Sequence, residues 1–180
     1  MGIRISDKCR GISPSATLRL NALVAEKRAQ GLDVISVAAG EPDMDTPAAI
    51  KSAAVRALDE GKTKYTATAG ISPLRQAIAD FLKKQHGLDY AASQVMVTSG
   101  AKQALLGCLT AVLNPGDEVL LPAPCWLSYP ELIRMADGVP VLVETRADTG
   151  FVPEMDALKE KLSGRTRAIL VNSPNNPTGA

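Results

Sequence analysis

From residue 94 onward, short apolar runs alternate with segments of helical pattern, and this rhythm constrains the fold more than any other feature of the chain. Residues 94–98, 118–121, 139–145 and 167–171 read as strands. Between them, 102–113, 126–136 and 153–162 read as helices, with Asn114-Pro115-Gly116 as a stop and Pro130 in a first turn. Strands alternating with helices predict a parallel sheet covered on both faces. The unbroken apolar character of Val119-Leu120-Leu121 and Ala168-Ile169-Leu170-Val171 fits strands buried on both sides.

The first ninety residues are patterned differently. Ser13-Pro14 reads as N-cap and first helical residue, because proline's missing N–H has no helical partner there. Leu20, Leu23, Val24 and Lys27 follow at helical spacing, and Gly31 supplies a stop. Thr46-Pro47 opens a second helix whose stripe is Ile50, Ala53, Ala54, Ala57 and Leu58, ended by Gly61. Ser72-Pro73 opens a third, with Leu74, Ala77, Ile78, Phe81 and Leu82 on one face up to Gly87. No internal repeat or low-complexity segment interrupts the pattern.

Parallel strands present their carboxyl ends along one rim, and open α/β sheets bind ligands there. Three unusual segments fall just past predicted strand ends: Ser99-Gly100-Ala101-Lys102, Pro122-Ala123-Pro124-Cys125-Trp126, and Asn172-Ser173-Pro174-Asn175-Asn176-Pro177-Thr178-Gly179. All three are expected to face one crevice.

The first segment joins a strand to a helix N-terminus, where free N–H groups and the positive dipole end suit a phosphate. It is equally compatible with an ordinary tight turn, and it matches neither GxxxxGK[ST] nor GxGxxG, which disfavours triphosphates and dinucleotides. Trp126, the only tryptophan, either stacks on a flat heteroaromatic ligand or packs under a loop. Cys125 beside it lacks a histidine base, so a catalytic thiol is not expected. The proline-rich, amide-rich third segment is the most distinctive: rigid backbone and polar side chains position groups well. Gly40, in Ala38-Ala39-Gly40-Glu41-Pro42-Asp43, can offer backbone N–H to a carboxylate, whereas Glu41 and Asp43 read as solvated turn residues. Tyr65 has a hydroxyl suited to a phosphate or a neighbouring chain.

Composition narrows the field by exclusion. Twenty Lys and Arg against nineteen Asp and Glu leave a net charge of +1, with the basic residues scattered. No nucleic-acid footprint is therefore expected. Cys9, Cys108 and Cys125 have no metal-ligand spacing, and the single histidine, His86, reads as a last-turn helix residue, so no metal site is expected. With no apolar leader among residues 1–10 and no run of membrane-spanning length, a cytoplasmic protein is expected.

Taken together, AAGEPD at 38–43, KTKY at 62–65, TSGAKQAL at 98–105, PAPCWLSYPE at 122–131 and VNSPNNPTGA at 171–180 resemble the class I/II aminotransferases of the aspartate aminotransferase fold. The order and spacing match from about residue 10 to residue 180, and SPNNPTG is the most specific element. The resemblance implies pyridoxal 5′-phosphate as cofactor, amino acid and 2-oxo acid substrates with aspartate as the nearest guess, and a homodimer. It implies that Gly40 holds the substrate α-carboxylate through its backbone. Gly100, Ala101 and Lys102 would surround the cofactor phosphate, Trp126 would stack on the pyridine ring, and Asn176 would bond the ring's phenolic oxygen and help hold the substrate. Tyr65 would reach the phosphate in the partner subunit. Cys125 departs from the family, where tyrosine is common before the tryptophan.

The fold implied is α/β: part of the fold-type-I large domain, a mostly parallel sheet flanked by helices, plus an N-terminal helical segment of the small domain. Residues 1–46 would form the arm and small-domain segment, and 47–180 the partial cofactor-binding domain. The family places its Schiff-base lysine, the acid facing the pyridinium nitrogen and two arginines beyond NSPNNPTG. The chain is therefore expected to be the amino-terminal portion of an aminotransferase, inactive by itself. Strand 94–98 would lack its neighbours, leaving the sheet incomplete and the packing weak or altered. Rival readings are another reaction on the same scaffold (a lyase or a decarboxylating synthase), a naturally short binding protein, or an unrelated nucleotide-binding domain. The coding sequence past codon 180 separates a short protein from a portion of a longer one.

Overall fold

A computed structural model describes residues 3–14, 16–37 and 40–180. Ala38 and Ala39 of the first resemblance segment lie outside the described residues. The chain forms two compact units, one of residues 1–20 with 100–180 and one of residues 21–99.

In the first unit β1 (Glu118–Ala123) is the centre of a three-stranded parallel sheet, between β2 (Val139–Glu144) and β3 (Thr166–Ile169). Glu118 pairs with Val139 on one side and Thr166 on the other, and an irregularity follows Glu118 on the β3 side. Helix α5 (Ala101–Val112) precedes β1, α6 (Ser128–Met135) links β1 to β2, and α7 (Met155–Glu160) links β2 to β3. The predicted helix-strand alternation from 101 onward is therefore present, with each bound within about two residues of its expected place.

The core lies on one face of β1. Val119 and Leu121 point toward Leu109 and Leu113 from α5 and its end, and toward Tyr129, Leu132 and Ile133 of α6. Val119, Leu121 and Ile133 are almost wholly buried. Strand side chains alternate, so Leu120 faces the other way. There Leu120, Met155, Leu158, Leu162 and Ile169 line an open trough of about 340 Å³. The expectation of a sheet sealed on both faces therefore holds only for β1. Of β2, Val143 alone is buried, and no β3 residue is. The lower rim is clamped by Glu118, which is buried and accepts hydrogen bonds from Arg165 Nε at 2.9 Å and from the Ser163 hydroxyl.

A short helix, α1 (Asp7–Arg10), belongs to this unit, with Ser6 Oγ accepting from the Cys9 N–H at 3.2 Å. Ser13-Pro14 does not open the next helix as predicted. Neither residue is helical, helix α2 is described over Ala16–Ala29, and the Ser13 N–H donates to Glu131 Oε2.

In the second unit, α3 (Ala48–Asp59) begins one residue after Pro47, whose carbonyl accepts from the Ile50 and Lys51 N–H groups. None of its residues is buried, so the predicted Ile50–Leu58 stripe has no cover within the unit. Helix α4 (Ser72–His86) takes Pro73 into its first turn and ends at Gly87, φ +68°, as the pattern required. Its inner face, however, is Arg75, Ile78, Ala79 and Leu82. Leu74 and Phe81 stay exposed. The face is turned because Arg75 lays its stem inward and donates through Nε to the Val95 carbonyl at 2.8 Å.

The predicted strand 94–98 is absent. A 3₁₀ turn covers Ala92–Gln94, and Val95 is extended at φ −107°, ψ 130°. The Val97 N–H donates to Ala69 O at 3.0 Å, but among the described residues no strand pairs with this segment. Extended backbone becomes a strand only through a ladder, and the apolar run alone supplies no partner.

Candidate active site

Three chain segments meet at the carboxyl end of β1. The β1 strand runs into a cis Ala123–Pro124 peptide, after which Cys125 and Trp126 lead to α6. Beyond β3, backbone pairing continues to Leu170, whose N–H donates to Leu120 O at 2.9 Å, and the 172–180 loop then turns over the rim. On the near side of α5, Gly100 sits at φ +85° and ψ 169° as the N-cap.

Side chains tie these segments together. Asn175 Nδ2 donates to the Pro124 carbonyl at 3.1 Å and to Thr178 Oγ1 at 2.8 Å. The loop is further closed by the Gly179 N–H to the Asn175 carbonyl and by the Asn176 N–H to Asn172 Oδ1 at 2.9 Å. Asn175 is thus spent on holding the loop to the β1 turn. The Asn176 side chain makes no hydrogen bond to the described residues and is exposed. The residue pattern alone gave both amides the same standing and the resemblance singled out Asn176; in the fold Asn175 is bonded to the β1 turn and Asn176 is exposed.

Trp126 is half-buried, with Tyr129 edge-on to its ring at 5.3 Å and 85°. The Lys102 ammonium lies 4.9 Å from the indole centroid, within cation–π range. Lys102 comes from the first turn of α5 and Trp126 from the β1–α6 turn, so this contact joins two of the three predicted rim segments. Asn175 joins the third. The expected convergence of the three on one rim is therefore seen for Gly100–Lys102, Pro122–Trp126 and Asn172–Gly179.

Gly100 owes its residue type to its backbone conformation. A Cβ there would meet nothing within 4 Å, so crowding does not select glycine. The left-handed backbone that turns the chain into α5 does. The exposed start of this twelve-residue helix, at Ala101 and Lys102, presents the positive dipole end toward the rim.

Burial pushes the Cys125 thiol above its ordinary range, and burial, then the neighbouring Cys125, does the same to the Tyr129 phenol. A raised thiol is a poor nucleophile at neutral pH, in line with the absence of a histidine base. Cys125 instead lines a mainly apolar cavity of about 190 Å³ with Leu121, Tyr129, Phe151 and Leu170.

Gly40 and Tyr65 belong to the second unit. Gly40 is exposed, with open space where a Cβ would point, and Tyr65 is fully exposed. Among the described residues no group of His, Cys, Asp or Glu is arranged to hold a metal, and no helix is long and apolar enough to cross a membrane.

Comparison with known proteins matches this arrangement to one group. The family "Aminotransferase class I and II" matches residues 32–180. An aspartate/prephenate aminotransferase of Thermus thermophilus is 48% identical over 176 residues, covering 98% of this chain and 46% of its own length. A probable aspartate/prephenate aminotransferase of Aquifex aeolicus is 50% identical over 176 residues, covering 98% and 45%. The solved aspartate aminotransferase of Thermus thermophilus with maleate has a TM-score of 0.94 at 47% identity, covering 99% of this chain and 47% of that one. The chain spans about half the length of the curated relatives it matches.

Proposed function

The chain belongs to the class I and II aminotransferases, and on that premise we propose that it supplies the cofactor-stacking and phosphate-holding half of an enzyme that moves an amino group between an aspartate-like amino acid and a 2-oxo acid. The observation that carries this reading is the meeting of Lys102, Trp126 and the Asn175–Pro124 tie at one strand rim.

The residues fit pyridoxal 5′-phosphate. Trp126 offers a flat ring held by Tyr129, the start of α5 at Gly100, Ala101 and Lys102 offers a positive helix end, and Asn176 offers an amide with no partner among the described residues. When bound, the cofactor supplies an electron sink for charge developing at the substrate Cα. In this reading Trp126 fixes the plane of the ring, and its face shields that side from water. The α5 N-terminus holds the phosphate, with the Lys102 charge adding to the dipole. Asn176 donates to the ring's phenolic oxygen and helps hold the substrate carboxylate, which Gly40 binds through its backbone N–H.

Full exposure of Tyr65 supports a role across a homodimer interface, reaching the phosphate held by the partner subunit. By role, residues 1–46 form the arm and small-domain segment and residues 47–180 the cofactor-binding part. We place the protein in the cytoplasm, a reading supported by three free cysteines. Maleate, held by the solved relative, is a dicarboxylate. Together with the relatives' names it favours an acidic donor over a neutral one. No observation favours a lyase or synthase.

The test is titration with pyridoxal 5′-phosphate, followed through the fluorescence of the only tryptophan. Saturable quenching that pyridoxal without phosphate and ATP fail to reproduce is expected. Equal quenching by ATP, or none by pyridoxal 5′-phosphate, would reject the reading. Aspartate with 2-oxoglutarate, given to the full-length enzyme, then tests the donor, with oxaloacetate as the expected product.

A further inference from the structure

Far from the rim, the chain's start is fastened to the two ends of α6, the helix that carries Tyr129. Lys8, on the single turn of α1, donates to the Met135 carbonyl at 3.1 Å and pairs with the Asp137 carboxylate at 2.9 Å. Five residues on, the Ser13 N–H meets Glu131 Oε2 at 3.4 Å in the first turn of α6. Met135 lies in the last turn, where carbonyls have no helical donor, so the Lys8 ammonium acts as a C-terminal cap and meets the negative dipole end. Ser6 fixes the register of α1 by accepting from Cys9, which sets where Lys8 points.

The hydrogen-bonded fastenings are polar and the Lys8 end is close to water, while Glu131 is 19% exposed and Ile12 is half-buried. No α1 residue is buried, and the Lys8 and Asp137 side chains are 45% and 50% exposed. By contrast α6 is anchored independently, through Tyr129, Leu132 and Ile133 in the core. Losing the fastening therefore frees residues 6–13 without unfolding α6. We propose that residues 6–13 are an ionic strap, in equilibrium between closed and released states and set by the Lys8–Asp137 pair together with salt. An exposed pair of this kind shifts such an equilibrium by roughly two- to fivefold, small enough for both states to be populated. Ions screen it, so salt opens the strap.

Trypsin cleavage after Arg10 reads the released state, because a protease needs the segment extended. The informative variant is Asp137→Asn. Asp137 has φ +63°, a conformation that asparagine tolerates as well as aspartate, so only the charge changes. In low salt, Asp137→Asn is expected to speed cleavage after Lys8 and Arg10 about two- to fivefold and leave cleavage at sites outside the strap and its flanks unchanged. Wild type should approach the variant's rate at 0.5 M NaCl, while the variant itself changes little with salt. Asp156→Asn, which removes a local pair with Lys159 on α7, is the control and should leave Arg10 cleavage unchanged. Equal Arg10 cleavage in wild type and Asp137→Asn at low salt would overturn the strap, as would acceleration at all sites alike. This outcome is independent of whether the protein binds pyridoxal 5′-phosphate.

Discussion

The Asn175 amide donates to the Pro124 carbonyl across 3.1 Å, fastening the loop after β3 to the turn after β1 although 51 residues separate them. The same amide donates to Thr178 at 2.8 Å, so one side chain both shapes its own loop and docks it. Its neighbour Asn176 is left facing outward, and this division of labour makes the pair separable by mutation.

Asn175→Ala removes two hydrogen bonds, each worth about 0.5–1.5 kcal/mol net. Asn176→Ala removes none that the described residues make, so its stability should stay within about 0.5 kcal/mol of wild type. Cofactor binding is expected to reverse in part: Asn176→Ala weakens it roughly tenfold by removing a donor to a charged oxygen. Urea denaturation and a pyridoxal 5′-phosphate titration on both variants check the split.

At the rim, Trp126→Ala should weaken cofactor retention by roughly tenfold through lost ring stacking, and Trp126→Phe by less. Lys102→Met removes the cation from the indole face, worth about 0.5–1 kcal/mol there, and with it a charge near the expected phosphate. Equilibrium dialysis against pyridoxal 5′-phosphate measures all three without relying on tryptophan emission.

At the opposite end of the sheet, hydrogen bonds from Ser163 and then Arg165, with the guanidinium charge adding to them, hold the Glu118 carboxyl below the usual glutamate range. A carboxyl lowered in the fold contributes stability that is complete above its unfolded pKa, about 4.3, and is lost as pH falls through the lower folded value. Urea midpoints between pH 7 and pH 3 should therefore fall for wild type. Glu118→Gln should start lower at pH 7 and show a flatter acid limb.

Two glycines and a core residue test the packing. Gly70 has φ +98°, and a Cβ there would lie 2.9 Å from Val97 Cβ, so Gly70→Ala meets both a backbone penalty and a clash. A loss of about 2 kcal/mol or more is expected. In Gly138→Ala the new methyl would lie 2.7 Å from Leu113 Cδ1 and 3.0 Å from Ile133 Cγ2, costing about 1–3 kcal/mol. Ile133→Ala leaves a cavity in the same place and should cost about 2–5 kcal/mol. Thermal and urea unfolding give each value.

Thiol chemistry offers a check on the β1 turn. Burial holds the Cys125 thiol high, whereas Cys9 and Cys108 are exposed. Iodoacetamide at pH 8 should label Cys9 and Cys108 first, with Cys125 reacting last, as peptide mass mapping would show. Early labelling of Cys125 would mean that the turn opens readily.

Much of this protein is written locally. Strand-helix alternation after residue 100 needs only the spacing of apolar residues and turn signals such as Asn114-Pro115-Gly116, and all three strands from 118 onward are where that spacing puts them. The left-handed ends at Gly61 and Gly87 follow from glycine's missing Cβ. The motif SPNNPTG, with its rigid prolines and adjacent amides, is legible as a rim segment and as a family mark.

What tertiary structure decided is which local potentials were used. Residues 94–98 have the apolar run of a strand but no ladder, because pairing is a relation between segments and not a property of one. Helix α4 turned its face because Arg75 found a carbonyl at Val95, a contact that periodicity cannot foresee. Asn175 and Asn176 carry the same side chain at adjacent positions, and the approach of Pro124, folded back from 51 residues away, made one structural and left the other without a partner among the described residues. Apolar spacing and turn chemistry act within a few residues and can be read along the chain. Hydrogen bonds between distant groups depend on where the whole unit brings them, so their assignment waits on the fold.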